Sequence, residues 1–346
     1  MYTVCKMNFQ QNVPLSQYST MRLGGNANYL TEIASVEELK QALAWADQHG
    51  LPAIMVGSGS NIVWRDEGYP GLVLINKITG FEVVDDEMGT YLTVGSGENW
   101  DSVVQRAVEL DLSGIECLSL IPGTAGATPV QNVGAYGQDI SQTLVTLTLF
   151  DTSSKTMLTM SASDCQFSYR SSIFKNNPGK FMITSITLML RKDHILPPFY
   201  HSLENYLSGH GITDYSPASI RQAVIDIRRS KLPDPSQVAN CGSFFANPEI
   251  DKSALGLIEE NYPGVSNWPS GTDKVKLSAA WLISKAGYAD FYDQETGIAT
   301  WPSQPLVFIN KNAASTADLL AFAGKVQAKV KEMFGVDLIL EPLLLP

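Results

Sequence analysis

The stretch IPGTAGATPVQNVGAYG (residues 121–137) holds four glycines, two prolines and several other small residues within seventeen positions. This composition favours neither helix nor strand, yet it is too apolar for a solvated loop. Small residues with accessible backbone N–H groups suit a flat ligand that lies against the backbone, such as an isoalloxazine ring. From the residues alone, a buried irregular connection remains the alternative.

A second glycine-rich turn, VGSGSN (residues 56–61), follows a predicted strand at 53–56. A dinucleotide fingerprint requires G-x-G-x-x-G before a helix, but the third position is Ile62, and residues 62–64 are strand-like. GSGENW (residues 95–100) also lacks the third glycine, and the chain has no G-x-x-x-x-G-K-[ST] loop. A nest of N–H groups can still bind pyrophosphate without a helix. The residues that would do so here are Gly57, Ser58, Gly59, Ser60 and Asn61, although an ordinary tight turn fits them as well.

The length of 346 residues predicts two or three domains. A content of 44% hydrophobic and 17% charged residues is typical of a globular protein. The formal net charge of −11 argues against a nucleic-acid partner, which would need a basic face. No apolar run approaches a membrane span, and residues 1–6 lack the charged and apolar regions of a signal peptide. The four cysteines form no CxxC pair, so reduced thiols and a cytoplasmic location are expected.

Hydrophobic periodicity and capping residues predict an α+β chain with a strand-rich N-terminal half. A capping box at Ser35 and Glu38 opens a helix that ends near His49, and Asn99 caps a second helix. Strands are expected at 72–75, 81–84, 91–94, 142–160 and 181–191, and residues 194–198 form a plausible boundary. Beyond this boundary, helices are expected at 217–230, 276–286 and from Ser315, followed by a final strand at 338–340.

Seven motifs together resemble one enzyme family over residues 14–342. They are TMRLGGNA (20–27), GSGSNIV (57–63), GSGENW (95–100), the stretch at 121–137, YRSSIFK (169–175), KLPDP (231–235) and GSFFANP (242–248). Their order is similar to that of the UDP-N-acetylenolpyruvoylglucosamine reductases (MurB), and the segment around Tyr200 together with VKLSAAWLI (275–283) is similar to the type I form.

The resemblance implies a FAD-binding module of the vanillyl-alcohol-oxidase type at 14–193, with lobes at about 14–70 and 71–193. An α+β substrate-binding domain would follow at 199–346, with a last strand at 337–345 that returns to the active site. Residues 57–61 would hold the FAD pyrophosphate, and the flavin would contact Pro122, Gly123, Gly126, Ala127, Asn132, Gly134, Ala135, Tyr136 and Gly137. The four histidines lie outside these loops, so the flavin is expected to be non-covalent.

The implied reaction reduces UDP-N-acetylglucosamine enolpyruvate to UDP-N-acetylmuramate with NADPH, a step of peptidoglycan synthesis. Hydride adds to an unsaturated carboxylate, so the site needs a cation near the developing enolate and a proton donor near the adjacent carbon. Arg170 matches the family residue that faces the carboxylate, and Ser243 matches the proton donor. Glu341 matches the glutamate that stabilises the enolate, and burial would raise its pKa. After Pro342 the chain departs from the family tail, because three leucines and a proline replace a glutamate, a valine and an arginine.

By the same resemblance, the UDP-sugar would contact Tyr200, Lys231, Asn247, Lys276 and Gln304. No metal, membrane or obligate protein partner is expected. Two other classes of protein also fit the sequence. A different FAD oxidase of the same superfamily would leave GSFFANP without a role, and a non-catalytic flavin-binding protein would tolerate the loss of Arg170 and Ser243.

Overall fold

The computed structural model describes residues 7–346. The prediction that the chain begins without a signal peptide concerns residues 1–6, and it lies outside the described residues together with Cys5. Among the helices of residues 7–346, none combines the length and the hydropathy that crossing a membrane requires.

The described residues form strands and helices in mixed order. The strands are β1 (Gln10–Pro14), β2 (Asn26–Ile33), β3 (Ala53–Val56), β4 (Ile62–Trp64), β5 (Tyr69–Asn76), β6 (Phe81–Asp86), β7 (Gly89–Gly95), β8 (Gly134–Ala135), β9 (Gln138–Asp139), β10 (Leu144–Asp151), β11 (Thr156–Ser161), β12 (Phe181–Leu190), β13 (Asn240–Ser243), β14 (Glu249–Asp251), β15 (Asn267–Ser270), β16 (Lys274–Leu277), β17 (Ile298–Trp301), β18 (Gln304–Asn310) and β19 (Leu343–Leu345). The helices are α1 (Val36–Gln48), α2 (Trp100–Glu109), α3 (Ile173–Asn176), α4 (His201–Gly209), α5 (Pro217–Lys231), α6 (Lys252–Asn261), α7 (Ala279–Ile283) and α8 (Thr316–Phe334).

The chain folds as two compact units. Of the described residues, unit 1 comprises 7–13, 27–58 and 69–230, and unit 2 comprises 14–26, 59–68 and 231–346. These bounds differ from the predicted domain bounds because hydrophobic burial follows spatial neighbours rather than chain order. Met21 and Val63 are buried in the same core as Phe322 of α8, whereas α4 and α5 share a buried cluster with Cys117 of unit 1. The assignment of cofactor binding and substrate binding to particular segments of the chain stays a prediction.

The described part of unit 1 contains two large sheets, each covered by a helix, and the two-stranded pair β8-β9. The four-stranded sheet has the order β1-β2-β5-β3, and β5 runs parallel to both β2 and β3. The five-stranded sheet, with the order β11-β10-β12-β7-β6, is antiparallel. Helix α1 buries Leu39 and Leu43 against the first sheet, and α2 buries Val103 and Val104 against the second. The predicted mixture of helices and strands is confirmed in this unit.

Unit 2 contains two three-stranded antiparallel sheets and one parallel pair. The sheets have the orders β13-β18-β17 and β14-β16-β15, and β19 pairs with β4. Helix α8 buries residues such as Leu319 and Phe322 in a core that also includes Phe245 and Phe308. Because Ser315 and Asp318 satisfy each other's backbone N–H groups, this helix begins with a complete capping box.

Three local predictions need correction. At α1, Ser35 caps the N–H of Glu38 as expected, but the Glu38 carboxylate accepts a hydrogen bond from Ala34 rather than from Ser35. The predicted helix at 276–286 begins only at Ala279, because the residues before it form the central strand β16 between β14 and β15. The final strand is Leu343–Leu345, not 338–340, because residues 343–345 pair with β4, whereas in 338–340 only Leu340 forms an isolated bridge, to Phe245.

Candidate active site

The small-residue stretch (residues 121–137) is ordered by pairing with the GSGENW turn, and both lie in unit 1. The N–H of Gly126 donates to the carbonyl of Ser96 at 2.9 Å, and that of Ala125 donates to the carbonyl of Glu98 at 2.9 Å. A side chain at Gly126 would place its Cβ 2.4 Å from the Cβ of Ser96, so only glycine permits this approach. The stretch is therefore a layer of backbone over backbone, in which Ala127 remains exposed.

The second half of the stretch ends in a tight hairpin. Strands β8 and β9 pair across Tyr136 and Gly137, whose φ values of 51° and 89° correspond to a turn with both central residues left-handed. The side-chain oxygen of Asn132 accepts a hydrogen bond from the N–H of Ser141 at 3.1 Å. Asn132 therefore fastens the second half of the stretch to the residues that follow the hairpin.

Arg170 lies against this hairpin. It occupies a tight turn closed by mutual hydrogen bonds of Ser168 and Ser171, and its φ is 53°. Its Nη2 donates to the carbonyl of Gly134 at 3.0 Å. Unit 1 thus brings together the predicted catalytic arginine and the predicted flavin-contacting stretch, although Arg170 and Gly134 are 36 residues apart in the sequence.

The VGSGSN turn stands where the chain passes from unit 1, at Ser58, to unit 2, at Gly59. In unit 1, a Cβ at Gly57 would lie 2.4 Å from the Thr124 hydroxyl oxygen. In unit 2, Gly59 has a φ of 70° and a Cβ there would lie 2.1 Å from the Tyr18 carbonyl oxygen. Both glycines are therefore required by contacts inside the protein, so their presence alone does not indicate a ligand.

Ser243 and Glu341 lie on neighbouring segments of unit 2. Gly242, with a φ of 75°, forms a bulge in β13 before Ser243, and Ser243 pairs with Val307 of β18. The N–H of Glu341 donates to the carbonyl of Phe244 at 3.0 Å. The Glu341 residue is 9% exposed, so the backbone places a nearly buried carboxyl group next to the strand that carries the serine.

Cys241 shares this environment but is not a nucleophile. Burial raises its pKa to about 12. Only the thiolate is reactive, so the thiol stays inert at neutral pH.

Two further predicted residues, Asn247 and Lys276, lie in neighbouring segments of unit 2. The side-chain oxygen of Asn247 accepts a hydrogen bond from the N–H of Ala279 at 3.0 Å, at the beginning of α7. Lys276 on β16 stands opposite Glu249 of β14 in the antiparallel register, and Glu249 is two residues beyond Asn247. Lys231 is the exposed last residue of α5, and Gln304 is the half-buried first residue of β18.

Tyr200 and Arg228 both approach Tyr136 within unit 1. The Tyr200 ring, at the residue before α4, makes an edge contact with the Tyr136 ring at 6.1 Å between centroids. Arg228, near the end of α5, hydrogen-bonds the Tyr136 side chain. Among the described residues, the Arg228 Nε is buried without a hydrogen-bond partner. Arg228 was not predicted as a functional residue, because an arginine in IDIRRSK resembles an ordinary surface residue of a helix.

The fold and the small-residue stretch of unit 1 place the chain among proteins that carry a FAD-binding domain. Residues 27–160 match the family described as FAD binding domain. Residues 234–345, all in unit 2, match the family described as UDP-N-acetylenolpyruvoylglucosamine reductase, C-terminal domain.

Similarity over nearly the full length identifies the family within this class. The chain is 37% identical over 338 residues to the UDP-N-acetylenolpyruvoylglucosamine reductase of Pseudomonas putida, covering 97% of this chain and 98% of the relative. It is 38% identical over 353 residues to the enzyme of the same name from Thermobifida fusca, covering 98% of each. The chain belongs to the UDP-N-acetylenolpyruvoylglucosamine reductase family.

A solved structure is similar in fold. It is the UDP-N-acetylenolpyruvylglucosamine reductase (MurB) from Thermus caldophilus, with a TM-score of 0.67 and 22% identity, covering 98% of this chain and 100% of that one. The predicted family and the predicted fold class are confirmed.

Proposed function

We propose that this protein catalyses the FAD-dependent reduction of UDP-N-acetylglucosamine enolpyruvate to UDP-N-acetylmuramate, with NADPH as the reductant. The observation that carries this proposal is identity of 37% or more with reductases of that name across 97% or more of both chains. The reaction is a step of peptidoglycan precursor synthesis, and we place it in the cytoplasm because its substrate is a nucleotide sugar.

The residues of unit 1 suit FAD. The small-residue stretch presents backbone and small side chains rather than bulky groups, and Arg228 adds a buried positive charge beside Tyr136. Residues 57–61 would hold the pyrophosphate, and residues of the stretch would line the flavin, namely Pro122, Gly123, Gly126, Ala127, Asn132, Gly134, Ala135, Tyr136 and Gly137. When bound, FAD supplies hydride transfer.

The protein's own residues supply charge stabilisation and a proton. The Arg170 guanidinium binds the carboxylate of the substrate, because its planar fork matches two carboxylate oxygens. The Ser243 hydroxyl gives its proton to the carbon next to that carboxylate. The protonated carboxyl group of Glu341 donates a hydrogen bond to the enolate oxygen as negative charge develops there, and its nearly buried position strengthens this bond.

The UDP part of the substrate carries negative charge and needs cations and hydrogen-bond donors. Lys231 and Lys276 supply the positive charge, and Asn247, Gln304 and Tyr200 supply hydrogen-bonding groups. Each of these assignments rests on the position of the residue in a family motif. They explain how a protein with a net charge of −11 binds an anion.

Stopped-flow absorbance of the two half-reactions tests this function. NADPH is expected to bleach the yellow protein under anaerobic conditions, and UDP-N-acetylglucosamine enolpyruvate is expected to restore the colour. A protein that NADPH reduces but the enolpyruvyl substrate does not reoxidise would contradict the proposal. Rapid reoxidation by oxygen alone would favour an oxidase of the same superfamily.

Gly126→Val is expected to reduce the FAD content of the purified protein. Its side chain would meet Ser96 and separate the small-residue stretch from the GSGENW turn, at a cost of about 1–3 kcal/mol in unfolding free energy. Flavin absorbance per protein measures the effect. Gly209→Ala in α4 is the matched control, because a Cβ there meets nothing within 4 Å. Full FAD loading of Gly126→Val would show that the stretch does not hold the cofactor.

Tyr200→Phe is expected to raise the KM for the UDP-sugar and to leave flavin reduction by NADPH unchanged. The substitution removes one hydroxyl from a ring that is 45% exposed and keeps its edge contact with Tyr136. Steady-state kinetics measure the KM for the UDP-sugar, and stopped-flow absorbance measures the rate of flavin reduction by NADPH. Tyr292→Phe, at a tyrosine that is 40% exposed, is the control. An unchanged KM would remove Tyr200 from the substrate site.

A further inference from the structure

Asp101 is the acceptor in an ion pair between two helices of unit 1. It is the second residue of α2, where the helix dipole favours a negative charge. Arg221 on α5 donates from Nη1 to Oδ1 at 2.7 Å and from Nη2 to Oδ2 at 3.0 Å. The side chains of Arg221 and Asp101 are only 11% and 27% exposed. A bidentate pair with so little exposure fixes orientation as well as distance.

The same carboxylate also holds the backbone at the beginning of the small-residue stretch. The N–H of Leu120 donates to Asp101 Oδ1 at 2.6 Å, and the φ of Leu120 is 57°. A left-handed leucine is costly unless its surroundings hold it. Three residues after Leu120, the carbonyl of Gly123 accepts a hydrogen bond from the N–H of Trp100 at 3.1 Å. Asp101 therefore sets the conformation with which the chain enters the stretch.

The charge of Asp101 is maintained in this position. Burial alone raises its pKa, but hydrogen bonds from Arg221 and Leu120 and the charges of Arg221 and Arg228 outweigh burial, so its pKa is lowered. The carboxylate is therefore ionised at neutral pH and available to all its donors.

Helix α5 reaches both ends of the stretch. Arg221 acts through Asp101 at Leu120, and Arg228, seven residues later on the same helix, hydrogen-bonds Tyr136 near the other end. Burial lowers the pKa of Arg228, whereas Tyr136 and Asp101 favour its charged form. One rigid helix thus connects the entry of the stretch with its closing hairpin.

We propose that Arg221 is a positioning residue for the cofactor, which acts by orienting Asp101 and, through Asp101, the backbone at Leu120. The inference rests on the proposed role of the stretch in binding FAD. Without Arg221, Asp101 would lose its fixed orientation and its strongest donors, and the left-handed Leu120 would relax. The stretch would then reach its FAD-binding conformation only at an added cost, which appears as weaker binding.

The test is FAD binding by apoprotein, followed by flavin fluorescence, together with visible circular dichroism of the bound flavin. Arg221→Met is expected to raise the Kd for FAD at least about fivefold, the lower end of typical coupling between sites, and to alter the dichroism spectrum. Arg221→Lys keeps the positive charge but loses the bidentate geometry of the guanidinium. Its Kd for FAD should therefore lie between those of the wild type and Arg221→Met. Arg229→Met on the same helix is the matched control, because Arg229 is exposed, and its Kd should equal that of the wild type.

Asp101→Asn is the second variant, and it retains an oxygen that can accept from Leu120. Its Kd should also rise, and adding Arg221→Met to it should raise the Kd little further, because both changes break one interaction. It also keeps the inference testable if Arg221→Met does not fold. Lowered thermal stability of either variant with an unchanged Kd and dichroism spectrum would overturn the inference and leave the proposed function intact. Failure of the wild-type apoprotein to bind FAD would overturn both.

Discussion

Replacing Ser243 by alanine is expected to slow reoxidation of the reduced enzyme by the enolpyruvyl substrate by about 10²–10⁴-fold, the usual contribution of a positioned proton donor. Flavin reduction by NADPH should stay close to the wild-type rate, because that half-reaction needs no proton from Ser243. Anaerobic stopped-flow measurement of each half-reaction separates the two effects.

We expect this substitution to remove the proton donor without disturbing the fold. Ser243 is held by the pairing of β13 with β18 and by the bulge at Gly242, both of which are backbone features that alanine preserves. Ser243→Cys keeps a proton donor and should recover part of the rate. Cys241→Ala on the same strand is the control and should leave both half-reactions near normal, since the buried thiol is protonated. If both half-reactions fell equally in Ser243→Ala, the serine would be structural.

Replacing Arg170 by methionine is expected to lower the rate of substrate reduction by about 10²–10³-fold, which is typical for the loss of one group that stabilises a developing negative charge. Methionine retains most of the side-chain volume but loses the fork that would bind the carboxylate. Single-turnover reoxidation at saturating substrate measures this rate.

Arg170 also donates to the carbonyl of Gly134, so its effect on the cofactor must be separated from its effect on the reaction. Arg170→Lys retains the charge without bidentate geometry and should restore only part of the rate. The Kd for FAD should change much less than the rate in both variants. Lys155→Met, at an exposed cation of the same unit, is the control. A rate that falls only in proportion to lost FAD would assign Arg170 to cofactor binding instead.

Local features of the chain were predictable because they depend on neighbouring residues. Asn99 caps α2 through the N–H of Ser102, and Ser315 caps α8, as their sequence patterns indicate. The absence of a dinucleotide fingerprint at Gly59 was also predictable, since the residues after it form β4. The order of seven motifs predicted the family, which the full-length relatives confirm. The individual site residues stay predictions until variants are measured.

Other features could not be predicted from local patterns. Lys274–Leu277 lies just before a helix, and its β structure depends on strands on both sides. Pairing of Glu341 with Phe244 joins residues about one hundred positions apart. Nothing near Arg221 in the sequence indicates that it binds Asp101.

By itself, the sequence determined the helix caps, the glycine turns, the family and the residue types that the proposed reaction needs. These properties depend on short-range backbone sterics, on capping hydrogen bonds and on motif order. Only the tertiary structure decided that residues 14–26 pack in unit 2 and that Glu341 lies beside the Ser243 strand. It also decided that hydrogen bonds connect α5 to both ends of the small-residue stretch. The physical reason is that these contacts join distant segments, and their formation depends on which surfaces bury together once the loops between them close.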